Sequence, residues 1–240
     1  MTRSRRLLTI CTIGALAGVI VFSLTPVNST FFRLAFLGSL LGAWVGVTPL
    51  MWRFKPARLA VLALPFLFAV PFLLPGDEIK AGELHSDYLR RLTGYEGSPY
   101  FWGGENSRGI DCSGLPRRSF RDALLVYGVR HGNGRAFRSW LEQWWFDASA
   151  KALSEGYRDY TEATGVDGKI RTMDYTPVEP GDLAITTDGI HALVYAGEGK
   201  WIQADPGLGV VATLEGRTDE NPWFRVPVTI HRWRLFDPQP

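Results

Sequence analysis

The first 76 residues of this chain contain no acidic side chain; all 24 Asp and Glu residues lie from Asp77 onward. Seven of the 26 Lys and Arg residues fall in that stretch, clustered around three uncharged apolar runs. The runs are Leu7 to Leu24, Leu34 to Trp52 and Leu59 to Leu74, of 18, 19 and 16 residues. A membrane-spanning helix needs about 20 predominantly apolar residues, so the first two read as transmembrane helices. The third is shorter and carries Pro65 and Pro71. Proline is tolerated within membrane helices, and Arg58 can extend to the interface while its stem stays in the apolar layer. Residues 1–76 are therefore expected to form an anchor of two to three spans.

The basic residues set an orientation. Arg3, Arg5 and Arg6 precede the first run, and Arg53, Lys55 and Arg58 fill the second connection, whereas the first connection holds Arg33 alone. The positive-inside rule puts the N-terminus and the second connection in the cytoplasm. Three spans then place everything after Gly76 outside the cytoplasm; two leave it inside. A cleaved leader is disfavoured, because a second long run follows the first and no small-residue cleavage pattern stands near Pro26.

From Asp77 the remaining 19 Lys and Arg face 24 acids, so this part is mildly acidic although the whole chain has a net charge of +2. A nucleic-acid binder carries a basic footprint, and that class is set aside. Helical spacing recurs at Leu84, Tyr88, Leu89 and Leu92, at Phe120, Ala123, Leu124 and Tyr127, and from Phe137 through Trp140, Leu141, Trp144 and Trp145 to Ala148. After Pro180 come short β-rich runs at 182–187, 191–196, 200–204, 210–214 and 226–235, joined by turn signals at Asp188-Gly189 and Gly197-Glu198-Gly199. Helices followed by an antiparallel meander indicate an α+β domain over residues 77–240.

The chemistry begins at Cys112, the single cysteine outside the apolar runs, Cys11 being within the first. It follows a glycine-rich loop and directly precedes the helix of Phe120 to Tyr127, with Asp111 or Ser113 as the expected N-cap. A thiol at a helix start meets unpaired N–H groups and the positive end of the dipole, which favour the nucleophilic thiolate. The expected base is His191, which opens a strand after the Asp188-Gly189 turn. A three-residue loop at 197–199 pairs His191 with Asp205 and places His191, Leu193, Gln203 and Asp205 on one face; a two-residue loop reverses that parity. Gln203 can then accept the imidazole Nδ1–H and orient the ring, with Asp205 as the competing orienter. His85, His131 and His231 are read as surface or core residues. One extramembrane Cys and scattered histidines give no metal-ligand spacing, so no metal and no cofactor is expected.

Two segments carry a resemblance. Tyr100, Trp102-Gly-Gly and Asp111-Cys-Ser-Gly in one, and Pro180-Gly-Asp-Leu followed by His191 in the other, resemble the NlpC/P60 family of bacterial cell-wall cysteine peptidases, papain-like in fold. The resemblance implies Cys112 as nucleophile, His191 as base and residue 203 as orienter. It also implies Tyr100, Trp102, Asp111, Ser113 and Asp205 as residues near the thiol or substrate. Three features depart from the family pattern. Gln203 stands where the family usually has His; a carboxamide still accepts the one hydrogen bond an orienter needs. Cys112 and His191 are 79 residues apart, which implies a Trp-rich helical insertion over about 128–174. Pro116 lies in the nucleophile helix. The Trp-rich stripe is expected to be core, with a lid, a substrate platform or membrane contact as the alternatives.

The expected protein is thus a multi-pass protein of a bacterial cytoplasmic membrane with an extracytoplasmic thiol hydrolase domain, cleaving peptide bonds in peptidoglycan stem peptides through Cys112, His191 and Gln203. A thiol acyltransferase or transpeptidase on the same substrate, and a non-catalytic wall-binding protein, are the alternative expectations. Its partners are the peptidoglycan peptide and the membrane, not nucleic acid.

Overall fold

The three apolar runs are α-helices in the computed structural model, which describes residues 3–237: α1 (Arg3–Leu24), α2 (Thr30–Leu50) and α3 (Lys55–Leu73). Each is long and apolar enough to cross a membrane. The third run is one helix despite Pro65 and Pro71. The helices run up, down and up. α1 and α2 pack closely where small residues face each other, Gly42 against Ala15, Gly46 against Thr12 and Gly18 against Ser39. α3 meets α2 more loosely, with Trp44 donating its indole N–H to the Val61 carbonyl.

The rest forms one α+β unit. Helices α4 (Ala81–Thr93) and α5 (Gly114–His131) cover one face of a six-stranded antiparallel sheet. Between them lies a short ribbon, β1 (Glu105–Asn106) and β2 (Gly109–Ile110). After α5 come α6 (Gly134–Trp145), α7 (Ala150–Ser154) and the large-sheet strands β3 (Thr161–Lys169), β4 (Leu183–Thr186), β5 (Ala192–Gly197), β6 (Lys200–Asp205), β7 (Val210–Glu215) and β8 (Pro227–Trp233). Alternation divides the core between two faces. Ala192, Val194, Ile202 and Ala204 join Leu84, Leu92, Leu115 and Phe120 of the helices, and Phe120 stacks on Trp233 with centroids 4.3 Å apart. Leu193, Tyr195 and Trp201 point the other way, toward Ile170, Met173, Phe224 and Val228.

Two features differ from the sequence expectation. The strand order is β3-β8-β4-β5-β6-β7, so β4 to β7 form the expected meander, but β8 returns to pair with β4 on the far side. β3 then pairs with β8 as a nine-residue edge strand inside the stretch expected to be helical insertion. Its sequence, Thr161-Glu-Ala-Thr-Gly-Val-Asp-Gly-Lys, has few large apolar residues because an edge strand buries little, and Gly165 and Gly168 give it the look of a loop.

The turn between β5 and β6 holds a subtler difference. Gly197 pairs with Lys200, leaving the two-residue loop Glu198-Gly199 that should reverse the parity. A bulge between Tyr195 and Gly197 absorbs one residue, and Val194 pairs with Ile202 in the register of a three-residue loop. The two shifts cancel, and His191 and Gln203 come to lie on the same face.

The apolar helices and the α+β unit are joined at two places. The α1–α2 connection adds a bridge to the small ribbon, Val27 beside Gly104. Around it Asn28 donates to the Gly103 carbonyl, Glu105 N–H to the Pro26 carbonyl, and the Asn106 side chain to the Thr25 carbonyl. At the end of α3, Phe72 packs edge-on against Phe137, Gly134 donates to the Pro75 carbonyl, and Arg138 donates to the carbonyls of Phe72 and Leu74. The Trp-rich α6 is therefore partly core and partly the shelf on which the apolar helices rest: Trp140 lies 6.5 Å from Phe72, and the Trp144 carbonyl accepts from Arg33.

Candidate active site

Cys112 sits immediately before α5, and the loop in front of it is tied to that helix by Asp111. One Asp111 oxygen accepts from Gly114 N–H at 2.5 Å and from the Ser113 hydroxyl at 3.0 Å; the other accepts from Gly103 N–H at 2.9 Å. Asp111 is thus the capping side chain and Ser113 supports it. The glycines are required sterically: a Cβ on Gly114 would collide with the Gly104 carbonyl, and one on Gly104 with the Gly109 carbonyl. Pro116 occupies the first turn of α5, where no partner for its missing N–H is needed, and the helix continues unbroken to His131.

The Cys112 thiol is 6% exposed and donates to the Ile190 carbonyl across 3.7 Å, which sets it beside the residue preceding His191. Its pKa is pushed up to about 11, chiefly by burial and then by the Asp111 carboxylate. The N–H groups of Ala192, Ser113 and Cys112 pull the other way without prevailing. The direction is opposite to the lowered pKa expected from the helix start, because desolvation and the Asp111 charge act against it.

His191 is 1% exposed, and burial lowers its pKa against the opposing pull of Gln203, Asp205 and Asp188. Its backbone N–H and that of Ile190 both donate to Thr186 Oγ1, which itself donates to Asp188 Oδ1 at 2.6 Å, so the turn after β4 fixes the start of β5. Nε2 of the ring lies 2.6 Å from Gln203 Oε1. The orienting contact is therefore on Nε2, not on Nδ1 as the sequence reading has it. The amide end of Gln203 donates to Asp205 Oδ2 at 3.1 Å, and this fixes which end of the carboxamide faces the imidazole. Gln203 Oε1 must accept, His191 Nε2 must carry the proton, and Nδ1 is left as the basic nitrogen.

Asp205 is the third member of this chain of contacts. It is 2% exposed and accepts from Gly207 and Leu208 N–H on Oδ1 and from the Asn221 side chain on Oδ2. Among the described residues its hydrogen bonds do not include one to the imidazole, and its link to the ring runs through Gln203. Sequence reasoning missed Asn221 and Trp223. Asn221 Oδ1 accepts from Trp223 N–H, and the indole stacks on the His191 ring with centroids 4.0 Å apart and planes 12° from parallel. The available signal was Asn221-Pro222, a capping residue followed by proline at the start of a short 3-10 turn.

The remaining expected site residues divide by exposure. Tyr100 is half-buried beside the thiol; its hydroxyl is pushed up to about 12 by burial and by the charges of Cys112, Asp111 and Asp205. Trp102 is 76% exposed and Phe101 47%, an aromatic rim on the nucleophile loop. The Pro180-Gly-Asp-Leu segment does not reach the thiol. Asp182 is buried in a two-pronged pair with Arg232 of β8 at 2.7 and 2.9 Å, anchoring the start of β4. His85 contacts the Pro180 carbonyl, His131 pairs with Glu83, and His231 meets Thr229.

A sequence profile of the NlpC/P60 family matches residues 97–225, more than half of the chain. Solved structures that this chain is similar to include NlpC2 and NlpC1 of Trichomonas vaginalis. They are 17% and 18% identical with TM-scores of 0.42 and 0.40, over 65% and 62% of this chain and 49% and 44% of theirs. The chain thus spans about half the length of these two proteins. The peptidoglycan hydrolase RipB of Mycobacterium tuberculosis is 21% identical, with a TM-score of 0.36 over 62% of this chain and 65% of that one. Among curated proteins none matches.

Proposed function

The chain belongs to the NlpC/P60 family, and from that premise we propose that it is a membrane-anchored thiol hydrolase of peptidoglycan stem peptides, with Cys112 as nucleophile, His191 as base and Gln203 as orienter. The observation that carries this reading is the chain of contacts from His191 Nε2 through Gln203 to Asp205, which leaves Nδ1 basic at the end of the sheet where the Cys112 thiol lies. With a neutral thiol and a neutral imidazole at rest, the thiol proton passes to Nδ1 as Sγ attacks the peptide carbonyl. The developing oxyanion is met by N–H groups at the start of α5, that of Cys112 among them. The imidazolium then returns the proton to the leaving amine, and water, deprotonated by His191, releases the acyl group. Trp102 and Phe101 offer an exposed aromatic rim, and Tyr100 a hydroxyl, to the substrate.

The three apolar helices make the anchor. Arg3, Arg5 and Arg6, and Arg53, Lys55 and Arg58, stand at the ends of the helices away from the α+β unit, so the positive-inside rule favours an extracytoplasmic site. The test is mass spectrometry of purified peptidoglycan after incubation with the full-length protein and with Cys112→Ala. Stem peptides shortened by the wild type alone support the reading; identical fragments from both proteins overturn it. An added amine acceptor in the same incubation distinguishes hydrolysis from acyl transfer by the mass of the product.

A further inference from the structure

Arg33, one turn into α2, is 5% exposed and has no acidic partner among the described residues. Its guanidinium donates to the Trp144 carbonyl at 2.9 Å and to the Thr30 hydroxyl at 3.2 Å, both neutral acceptors. A buried cation is ordinarily matched by an anion, because neutral dipoles only partly replace the water it has lost. Every other charge around it is committed elsewhere: Glu105 to Arg117 and Arg121, and Arg118 to Asp122.

Arg33 lines a cavity of about 370 Å³ between the α1–α2 connection and α6, with Phe32, Phe36, Trp140 and Trp144 in its walls. Leu37, Leu40 and Phe68 in that wall also line a second hollow of about 640 Å³ between α2 and α3, whose remaining lining, including Leu41, Val61 and Leu64, is apolar throughout. A chamber lined by Arg33, Arg118 and Arg121 with the single carboxylate of Glu105 thus adjoins, across the shared Leu37, Leu40 and Phe68, an apolar groove between the membrane-spanning helices. That is the shape of an amphiphile with an anionic head and a hydrocarbon chain.

We propose that this is a binding site for an anionic phospholipid of the extracytoplasmic leaflet, its phosphate against Arg33 and one acyl chain in the groove between α2 and α3. The proposal rests on the membrane reading of α1 to α3 and not on the thiol chemistry. Asn28, in the same chamber, bonds both the Glu105 carboxylate and the Gly103 carbonyl, so the lipid abuts the segment that holds the nucleophile loop.

Native mass spectrometry of the full-length protein, titrated in detergent with phosphatidylglycerol, phosphatidylcholine or inorganic phosphate, tests this. One phosphatidylglycerol should be retained, with about tenfold preference over phosphatidylcholine. Arg33→Gln should abolish the preference and Arg33→Lys restore part of it. Leu40→Trp, at a 47% exposed position that tolerates bulk, should weaken retention by filling the channel, and it decides the matter if Arg33→Gln does not fold. Equal retention of both lipids by the wild type, undiminished retention by Leu40→Trp, or displacement of the lipid by inorganic phosphate would each overturn the proposal. The peptidoglycan assay is read independently, so failure here leaves the hydrolase reading standing.

Discussion

Burial and the neighbouring Asp111 carboxylate push the Cys112 pKa up, so in the proposed mechanism the thiol becomes nucleophilic as His191 takes its proton. Alkylation of the resting protein by iodoacetamide should therefore be slow near neutrality, with no inflection at or below the roughly 8.5 of a free thiol. A fast plateau at neutral pH would show a preformed thiolate instead. In the proposed mechanism Gln203 acts at the next step, its contact with Nε2 leaving Nδ1 free. Gln203→Ala should lower kcat of the order of a hundredfold, the lower end of what general base catalysis is worth, with KM nearly unchanged. Gln203→His should recover part of that loss; equal kcat in wild type and Gln203→Ala would exclude Gln203 as orienter.

Segments as well as side chains set this site. The 3-10 turn after Asn221 lays Trp223 flat on His191 and contributes to the burial that lowers the imidazole pKa. Trp223→Ala should raise that pKa toward its ordinary value of about 6.5, so the acid limb of the kcat/KM profile moves to higher pH. An unmoved limb would mean that the indole is only packing. The nucleophile loop depends on Glu105, 3% exposed between Arg117 and Arg121 at 2.7 and 2.8 Å. Burial opposes its charge, but the two arginines and Asn28 hold the carboxyl below the usual carboxylate range. The stability it contributes is present above the unfolded carboxylate pKa and is lost as pH falls through the folded one. Glu105→Ala should cost about 3 to 5 kcal/mol of unfolding free energy, because the buried Arg121 loses its counter-charge and Arg117 keeps Asp147 alone. A loss near zero would show that water replaces the carboxylate.

At the scale of the whole molecule, the α+β unit rests on the α1–α2 connection and on the end of α3, and both contacts lie at the same end of the helical hairpin. The basic residues at 3–6 and 53–58 lie at the other end. Three spans and one orientation satisfy both facts. A C-terminal reporter active only in the cytoplasm should be silent, and a strong signal would place the site inside the cell and remove the cell wall as substrate. Loss of the α1–α2 contact should also reach the thiol, because Asn28 and Pro26 hold the backbone of Gly103 and Glu105 next to Asp111.

The sequence by itself determined the apolar helices, the α+β class, the meander of β4 to β7 and the candidate residues Cys112, His191 and Gln203. Each depends on a local signal: uncharged length, periodicity, turn residues, or a motif whose glycines allow backbones to meet. Only the tertiary structure decided the rest. β8 inserts beside β4 because a long return connection can choose its edge without a local mark, and edge strand β3 buries too little to announce itself. The bulge at Ala196 restored a parity that loop length alone would have reversed. Asp205 fixed which end of Gln203 faces the ring, and so which nitrogen is basic, because an amide has no preferred end until a charged neighbour supplies one. Burial pushes the Cys112 pKa up against the pull of the helix start, because desolvation depends on everything packed around a group, and a motif shows only its neighbours in the chain.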